Sequence, residues 1–466
     1  MKNKFLIVLI LIIVQPFISF SQDENTLTLS LKEAQEYAVT KNLNLENVRL
    51  DIDKAQKRVW ETTSIGLPQV NGNLSYQHIP GDLPTASFSD SSTAELYSYI
   101  FGSLEQIDDA FTQVTLDPLP TLEAGEPFTL GVKNSTTYTV TVSQLIFSGE
   151  YIIGLQAAKA YLQISKLNYE KQEIELKGNV LNNYISILIL EDNLTTIKSS
   201  IINMESLVNE TNLLSQAGFL ESTDADQLQI TLNTLINAKN TIERQIGIAY
   251  TLFKIVLGAD LNENLVLTDD LNSVNELIVE KAISENFELD NNIDYKMMTN
   301  QVKLNELLYK REQAKYLPTI SAFYNYQDKT NKASFDFTIN HIIGVNLDLP
   351  IFTSFQRKAV AQQAKIEYSQ SVNNQSMVEQ NLTAIVQELR YNYYNTLEKY
   401  NISNQNVELS KKVFNNTSKK YKEGMASSMD LTQSNNTYLQ AETDKINALY
   451  ELIQIKIELE KLLNEI

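Results

Sequence analysis

The sequence predicts a mainly α protein with a membrane β component: long antiparallel helical hairpins that pack as coiled coils, four strands per chain, and an internal duplication that produces both. Three observations carry that prediction. A set of landmarks occurs twice in the same order. Leu67-Pro68 and Leu317-Pro318 each open an alternating run, Phe147 and Phe352 each close a second one, and Gly218 and Gly424 each interrupt a long helical stretch. Around those glycines the spacing is kept: Gly218, Ser222, Asp224 and Gln227 recur as Gly424, Ser428, Asp430 and Gln433. The prolines are confined to the part of the chain ending at Pro350, and the strand candidates alternate almost strictly. A strand pair followed by a helical hairpin, used twice, is an architecture in itself.

Residues 1–21 read as a signal peptide. Met1-Lys2-Asn3-Lys4 is basic, Phe5 to Phe20 is an apolar run, and Ser19-Phe20-Ser21 supplies small residues for cleavage near Gln22. The first repeat, 22–272, is expected to hold a helix, a strand pair and a hairpin over 149–258. Val70, Gly72, Leu74 and Tyr76 alternate with Asn71, Asn73, Ser75 and Gln77. Tyr138, Val140 and Val142 alternate with Thr139, Thr141 and Ser143. Between these strands lies an acidic insertion, 78–136, with Asp82, Asp90, Glu95, Glu105, Asp108, Asp109, Asp117, Glu123 and Glu126 against the single Lys133. It reads more readily as a shield over the mouth of a barrel than as a gate.

The second repeat, 273–466, is expected to repeat the order: a helix, a strand pair over 318–352 and a hairpin over 354–464. Ile320, Ala322, Tyr324 and Tyr326 alternate with Ser321, Asn325 and Gln327, and Phe323 is the exception. Phe335, Phe337, Ile339, Ile343, Val345 and Leu347 are set against Asp336, Thr338, Asn340, Asn346 and Asp348. From Phe352 onward there is no proline and the one glycine is Gly424, the composition of two uninterrupted helices joined at a turn. A helix from about Ser354 to Lys422 is on the order of 100 Å long. Its apolar stripe runs through Leu382, Ile385, Val386, Leu389, Tyr393, Leu397 and Tyr400, and after the turn through Leu452, Ile455, Leu459 and Leu462. Such stripes are coiled-coil seams and suggest no cofactor site.

Composition narrows the function. No cysteine is present, which excludes disulfides, thiolate metal sites, a cysteine nucleophile and a lipid-modified N-terminal cysteine. With only His78 and His341, an imidazole-based metal site is not expected. A formal charge of −19 argues against nucleic acid, which needs a basic face, and leaves a solvated acidic surface or an acidic lining. Neither a phosphate-binding glycine loop nor a nucleophile elbow is found, so no catalytic residue is assigned.

Past the signal peptide no stretch reaches the roughly 20 apolar residues of a membrane-spanning helix, so entry into a membrane would be by strands. One apolar and one polar face suit lipid outside and water inside, although a half-buried strand of a soluble sheet has the same period. Four strands cannot close a membrane barrel, for which about eight is the smallest number. An open edge in lipid costs several kcal/mol per unpaired group. A homotrimer supplies about twelve strands.

The signal peptide, the two strand-strand-helix-helix repeats and the Gly-x5-Asp turn of each half together resemble the TolC-like outer-membrane efflux proteins. The specific parts are Leu-Pro before the first strand of each half, Gln144-Leu145-Ile146-Phe147-Ser148-Gly149 and Leu349-Pro350-Ile351-Phe352 at the strand-to-helix passages, and Tyr421-Lys422-Glu423-Gly424 running to Asp430. The resemblance implies a trimeric twelve-stranded barrel in the outer membrane, continued by a helical tunnel across the periplasm. It implies a passive export duct of the efflux or type I secretion kind, without cofactors, partnered by a periplasmic adaptor and an inner-membrane pump. It also implies a periplasmic gate: a latch between Tyr421 and Asp224, and an aspartate ring whose first member matches Asp430 and whose second falls on Gln433. The arginine that shares the family's latch falls on Ala426. Turns at Gly218 and Gly424 would mark the hairpin tips and adaptor docking. N-capping of the helices after the turns is the competing role for Asp224 and Asp430, with Ser222 and Ser428 as rivals for it. The competing reading of the chain is a periplasmic coiled-coil adaptor or scaffold.

Overall fold

A computed structural model describes residues 26–86, 128–271, 273, 287–333 and 336–465. The signal peptide, the acidic residues from Asp90 to Glu126 and Phe335 lie outside the described residues. In order, the elements are β1 (Thr26–Leu29), α1 (Leu31–Lys41), α2 (Leu43–Ile65), β2 (Gln69–His78), β3 (Thr85–Ala86), β4 (Phe128–Thr129), β5 (Asn134–Phe147), α3 (Gly149–Gln216), α4 (Ser222–Leu257), β6 (Asn264–Leu267), a 3-10 turn (Leu289–Asn291), α5 (Ile293–Ala314), β7 (Thr319–Lys329), β8 (His341–Asp348), α6 (Gln356–Lys422) and α7 (Ser428–Leu463). The expected strand pairs and helical hairpins are present. Two compact units result, one from the segments Ala55–Leu162 and Val302–Gln370, the other from the chain up to Lys54, Gln163–Gln301 and Ser371 onward. Each unit draws on both halves of the sequence.

The first unit holds a four-stranded antiparallel sheet in the order β2-β5-β7-β8. Its register puts most apolar residues of the four strands on one face, with Leu145, Phe323 and Ile342 on the other. Leu74 lies opposite Tyr138, Val142 opposite Tyr324 and Tyr324 opposite Ile343; Gly72 and Val140 are paired, as are Ala322 and Val345. On that face Val70, Leu74, Tyr76, Ile343, Val345 and Leu347 are 64–77 % exposed, so nothing among the described residues covers them. The other face pairs Asn73 with Thr139 and Thr141 with Asn325, and the Thr141 hydroxyl donates to Asn325 Oδ1 at 3.3 Å. Phe323, the break in the alternation, lies opposite Gly344. A Cβ on Gly344 would stand 2.6 Å from the Phe323 ring, so the ring fills the space the glycine leaves.

One strand is shorter than expected. The alternation suggested a run from Phe335 to Leu347, but β8 begins at His341. Asp336 Oδ1 accepts from the backbone N–H of Thr338 at 3.1 Å, a local turn that withdraws this segment from the ladder. The base of the insertion folds as the short pair β3–β4. Where α5 passes into β7, Glu312 accepts from Lys315 and Arg311 at 2.9 and 3.1 Å, and Arg357 of α6 donates to the Lys315 carbonyl at 2.7 Å.

The second unit is helical apart from β1 and β6, a parallel pair that the sequence reading did not anticipate. The Tyr184 hydroxyl ties this pair to α3. It is within 2.9 Å of Asp269 Oδ2 and 3.1 Å of the Leu29 carbonyl, and it accepts from the Asp269 amide at 3.2 Å. From Leu382 onward the buried positions of α6 are Leu382, Val386, Tyr393, Thr396, Ser403, Val407, Ser410, Phe414 and Tyr421, steps of three, four and seven. That is an a/d heptad seam. Bulky residues alternate with Thr396, Ser403 and Ser410, whose small size permits close approach. Ile385 falls outside the seam and is 42 % exposed. The other end of α7 is buried nearly all round, with Leu449, Leu452, Ile453, Ile457 and Leu459 in the core.

The duplication extends to side chains. Asn42 Oδ1 accepts from the amides of Asn44 and Leu45 while its Nδ2 donates to the Val256 carbonyl near the end of α4. In the second half, Asn292 Oδ1 accepts from the amides of Asp294 and Tyr295, and its Nδ2 donates to the Leu462 carbonyl near the end of α7. Each asparagine caps the N-terminus of one helix and satisfies an orphan carbonyl of another.

Candidate functional site at the hairpin ends

The two hairpins turn by the same device. Gly218 N–H donates to Ser215 O at 3.0 Å and Phe219 N–H to Leu214 O at 2.9 Å; Gly424 N–H donates to Tyr421 O at 2.9 Å and Met425 N–H to Lys420 O at 2.8 Å. These are Schellman closures, which need a left-handed residue after the helix. The glycines supply it with φ of 79° and 75°. Phe219, Met425 and Met429 project at the ends and are 66–78 % exposed.

The helices after the turns start differently. Ser427 caps α7: its Oγ accepts from the Asp430 amide at 3.1 Å, while Asp430 Oδ2 accepts from Ser427 N–H at 3.0 Å and Ser427 Oγ at 2.7 Å, a complete capping box. These bonds hold the exposed Asp430 carboxyl below the usual aspartate range, the backbone donor contributing most. Glu221 stands at the matching position before α4 and makes no side-chain cap bond. Asp224, which occupies the place of Asp430, instead accepts a hydrogen bond from Ser428 Oγ on the other hairpin. Neither Ser222 nor Ser428 is the cap: both are first residues of their helices, and Ser428 is spent on Asp224.

Tyr421, the last buried position of the α6 seam, bonds Thr211 Oγ1 of α3 at 2.9 Å rather than Asp224. Burial pushes its hydroxyl pKa up, with the nearby charge of Asp224 a lesser contribution. Lys422 pairs with Glu210 at 3.0 Å. Thus three polar links, Tyr421–Thr211, Lys422–Glu210 and Ser428–Asp224, join the ends of the two hairpins over an apolar layer of Met204, Leu207, Leu228, Phe414, Leu431 and others. Gln433 is exposed. Of the expected gate residues, Asp224 and Tyr421 are drawn into this network, while Asp430 and Gln433 remain on the exposed side of α7. Thr211, Ser427 and Ser428 were missed as partners, although the short spacing of Ser427 and Asp430 carries the capping-box signal.

Residues 288–465 match the family model described as outer membrane efflux protein. Over those residues the chain is similar to that family, and the match spans less than half of the sequence. The likeness in fold to solved outer-membrane channels extends over the first half as well. A CusC structure, described in terms of folding and transmembrane channel formation, has a TM-score of 0.72 at 13% identity, covering 93% of this chain and 92% of that one. The Campylobacter jejuni CmeC outer membrane channel gives 0.68 at 14% identity, covering 93% and 85%. The outer membrane protein VceC of Vibrio cholerae gives 0.67 at 14%, covering 93% and 95%. No curated protein sequence matches the chain. Among the described residues no helix is long and apolar enough to cross a membrane, and the exposed apolar face belongs to the sheet.

Proposed function

We propose that three copies of this chain form an outer-membrane exit duct, closing a twelve-stranded barrel over a periplasmic helical tunnel, and that an adaptor and an inner-membrane pump drive export through it. The observation that carries this reading is the sheet: among the described residues one face is apolar and uncovered in register on all four strands, and β2 and β8 have no further partner strand. An edge strand leaves about half its backbone groups unpaired, which lipid does not tolerate. Because adjacent strands are antiparallel throughout, β8 of one copy can continue the ladder onto β2 of the next.

The hairpin ends are the gate in this reading, held closed by Tyr421, Asp224 and their partners and narrowed by Asp430 and Gln433. The turns at Gly218 and Gly424 are where the adaptor docks. In planar bilayers the purified protein is expected to show small closed-state conductance, and Tyr421→Phe with Asp224→Ala to raise it. Recovery from the outer-membrane fraction with unchanged conductance in that variant would rule out the gate. Recovery as a soluble periplasmic protein would replace the duct with the scaffold reading.

A further inference from the structure

The only two histidines of the sequence occupy equivalent places on opposite edges of the sheet. His78 is the last residue of β2 and His341 the first of β8. These strands run in opposite directions, so both residues lie at the same end of the sheet. Both are exposed, and both fall on the apolar face: His78 continues the series Val70, Leu74, Tyr76, and His341 the series Leu347, Val345, Ile343.

Each imidazole is held through the same nitrogen. His78 Nδ1 lies 2.7 Å from Asn134 Oδ1, an acceptor, so the proton is on Nδ1. The Tyr76 hydroxyl donates to the same oxygen at 3.0 Å. His341 Nδ1 lies 2.8 Å from the Tyr324 hydroxyl, and its ring packs against Tyr324 and Tyr326. A histidine held at Nδ1 by an oxygen presents Nε2 as a ligand nitrogen, the usual outer arrangement of a metal-binding imidazole.

We propose that closure of the barrel creates, at each seam, a two-histidine site for a divalent transition cation, with His341 of one copy opposite His78 of the next. The site rests on the trimeric channel reading. Matching the two faces across the seam restricts the register to steps of two residues. Two registers keep all eight residues of β8 paired. The one that brings the strand ends flush sets His341 against His78 and Asp348 against Asn71; the other sets His341 against Tyr76. Directly opposed residues have Cβ atoms about 5 Å apart, a span that two imidazoles bridge through one ion. Imidazole pairs suit Zn2+, Ni2+ or Cu2+, with water completing the coordination.

The absence of cysteine makes the geometry directly testable. In the full-length protein, His78→Cys with His341→Cys is expected to oxidise to disulfide-linked trimers, and Tyr76→Cys with His341→Cys to cross-link less. Equilibrium dialysis with Ni2+ alone is expected to show one ion per seam in the unaltered trimer, lost in His78→Ala and in His341→Ala. A trimeric native mass with stronger cross-linking through Tyr76→Cys, or with Ni2+ binding unaffected by both alanine variants, overturns the site alone. A monomeric mass removes the seam, and the channel reading with it.

Discussion

Asp224 and Asp430 occupy equivalent positions in the two repeats, yet the neighbour three residues earlier decides what each does. Ser427 has a short hydroxyl that closes a capping box on Asp430. The side chain of Glu221 makes no cap bond, so Asp224 is available to bridge to Ser428. Ser427→Ala is therefore expected to cost about 1 kcal/mol of helix-start stability, and Glu221→Ala close to nothing, as read by amide-exchange protection of the two first turns. The Asp430 carboxyl has a folded-state pKa below the unfolded one, so its contribution is complete above about pH 4 and is lost as the pH falls through the lower folded value. Protection of the first turn of α7 should be flat from neutral pH to about pH 5 and fall only under more acid conditions. Mutual repulsion of three Asp430 carboxylates in an assembled ring would act in the opposite sense and bring the loss to higher pH. Comparing dissociated protomer with trimer separates the two effects.

At the scale of elements, the sequence was most legible where backbone chemistry punctuates it. Gly218 and Gly424 marked both turns because a Schellman closure needs a left-handed residue, and absence of proline marked the four long helices. Strict alternation marked β2, β5 and β7, but it overran β8, where the Asp336–Thr338 turn interrupts pairing without disturbing the pattern. Four-residue β1 and β6 were not legible, being too short to show a period and paired across most of the first repeat. Nor were Asn42 and Asn292, since a lone asparagine carries no periodic signal. They are buried and satisfied by three backbone partners each, so Asn292→Leu should cost about 2 kcal/mol by leaving two amides and a carbonyl unpaired. Chemical denaturation of the extracted protein checks this, with the equivalent Asn42→Leu expected to match it. At the hairpin ends, the family resemblance pointed to Tyr421 and Asp224 as partners of one another, whereas their hydrogen bonds go to Thr211 and Ser428. Those contacts depend on how one hairpin is set against the other.

At the scale of the whole molecule, the central claim is that a single chain is incomplete. Among the described residues its sheet has an apolar face that nothing covers and two unpaired edges, residues 288–465 match the outer membrane efflux protein model, and the fold is like that of solved outer-membrane channels. A detergent layer can cover the face, but only a neighbouring strand can pair the edges. The most direct test is the native mass of the protein extracted in detergent from the outer-membrane fraction. The account predicts a homotrimer, whose twelve strands close the barrel. A monomer that remains folded and soluble without detergent would contradict it.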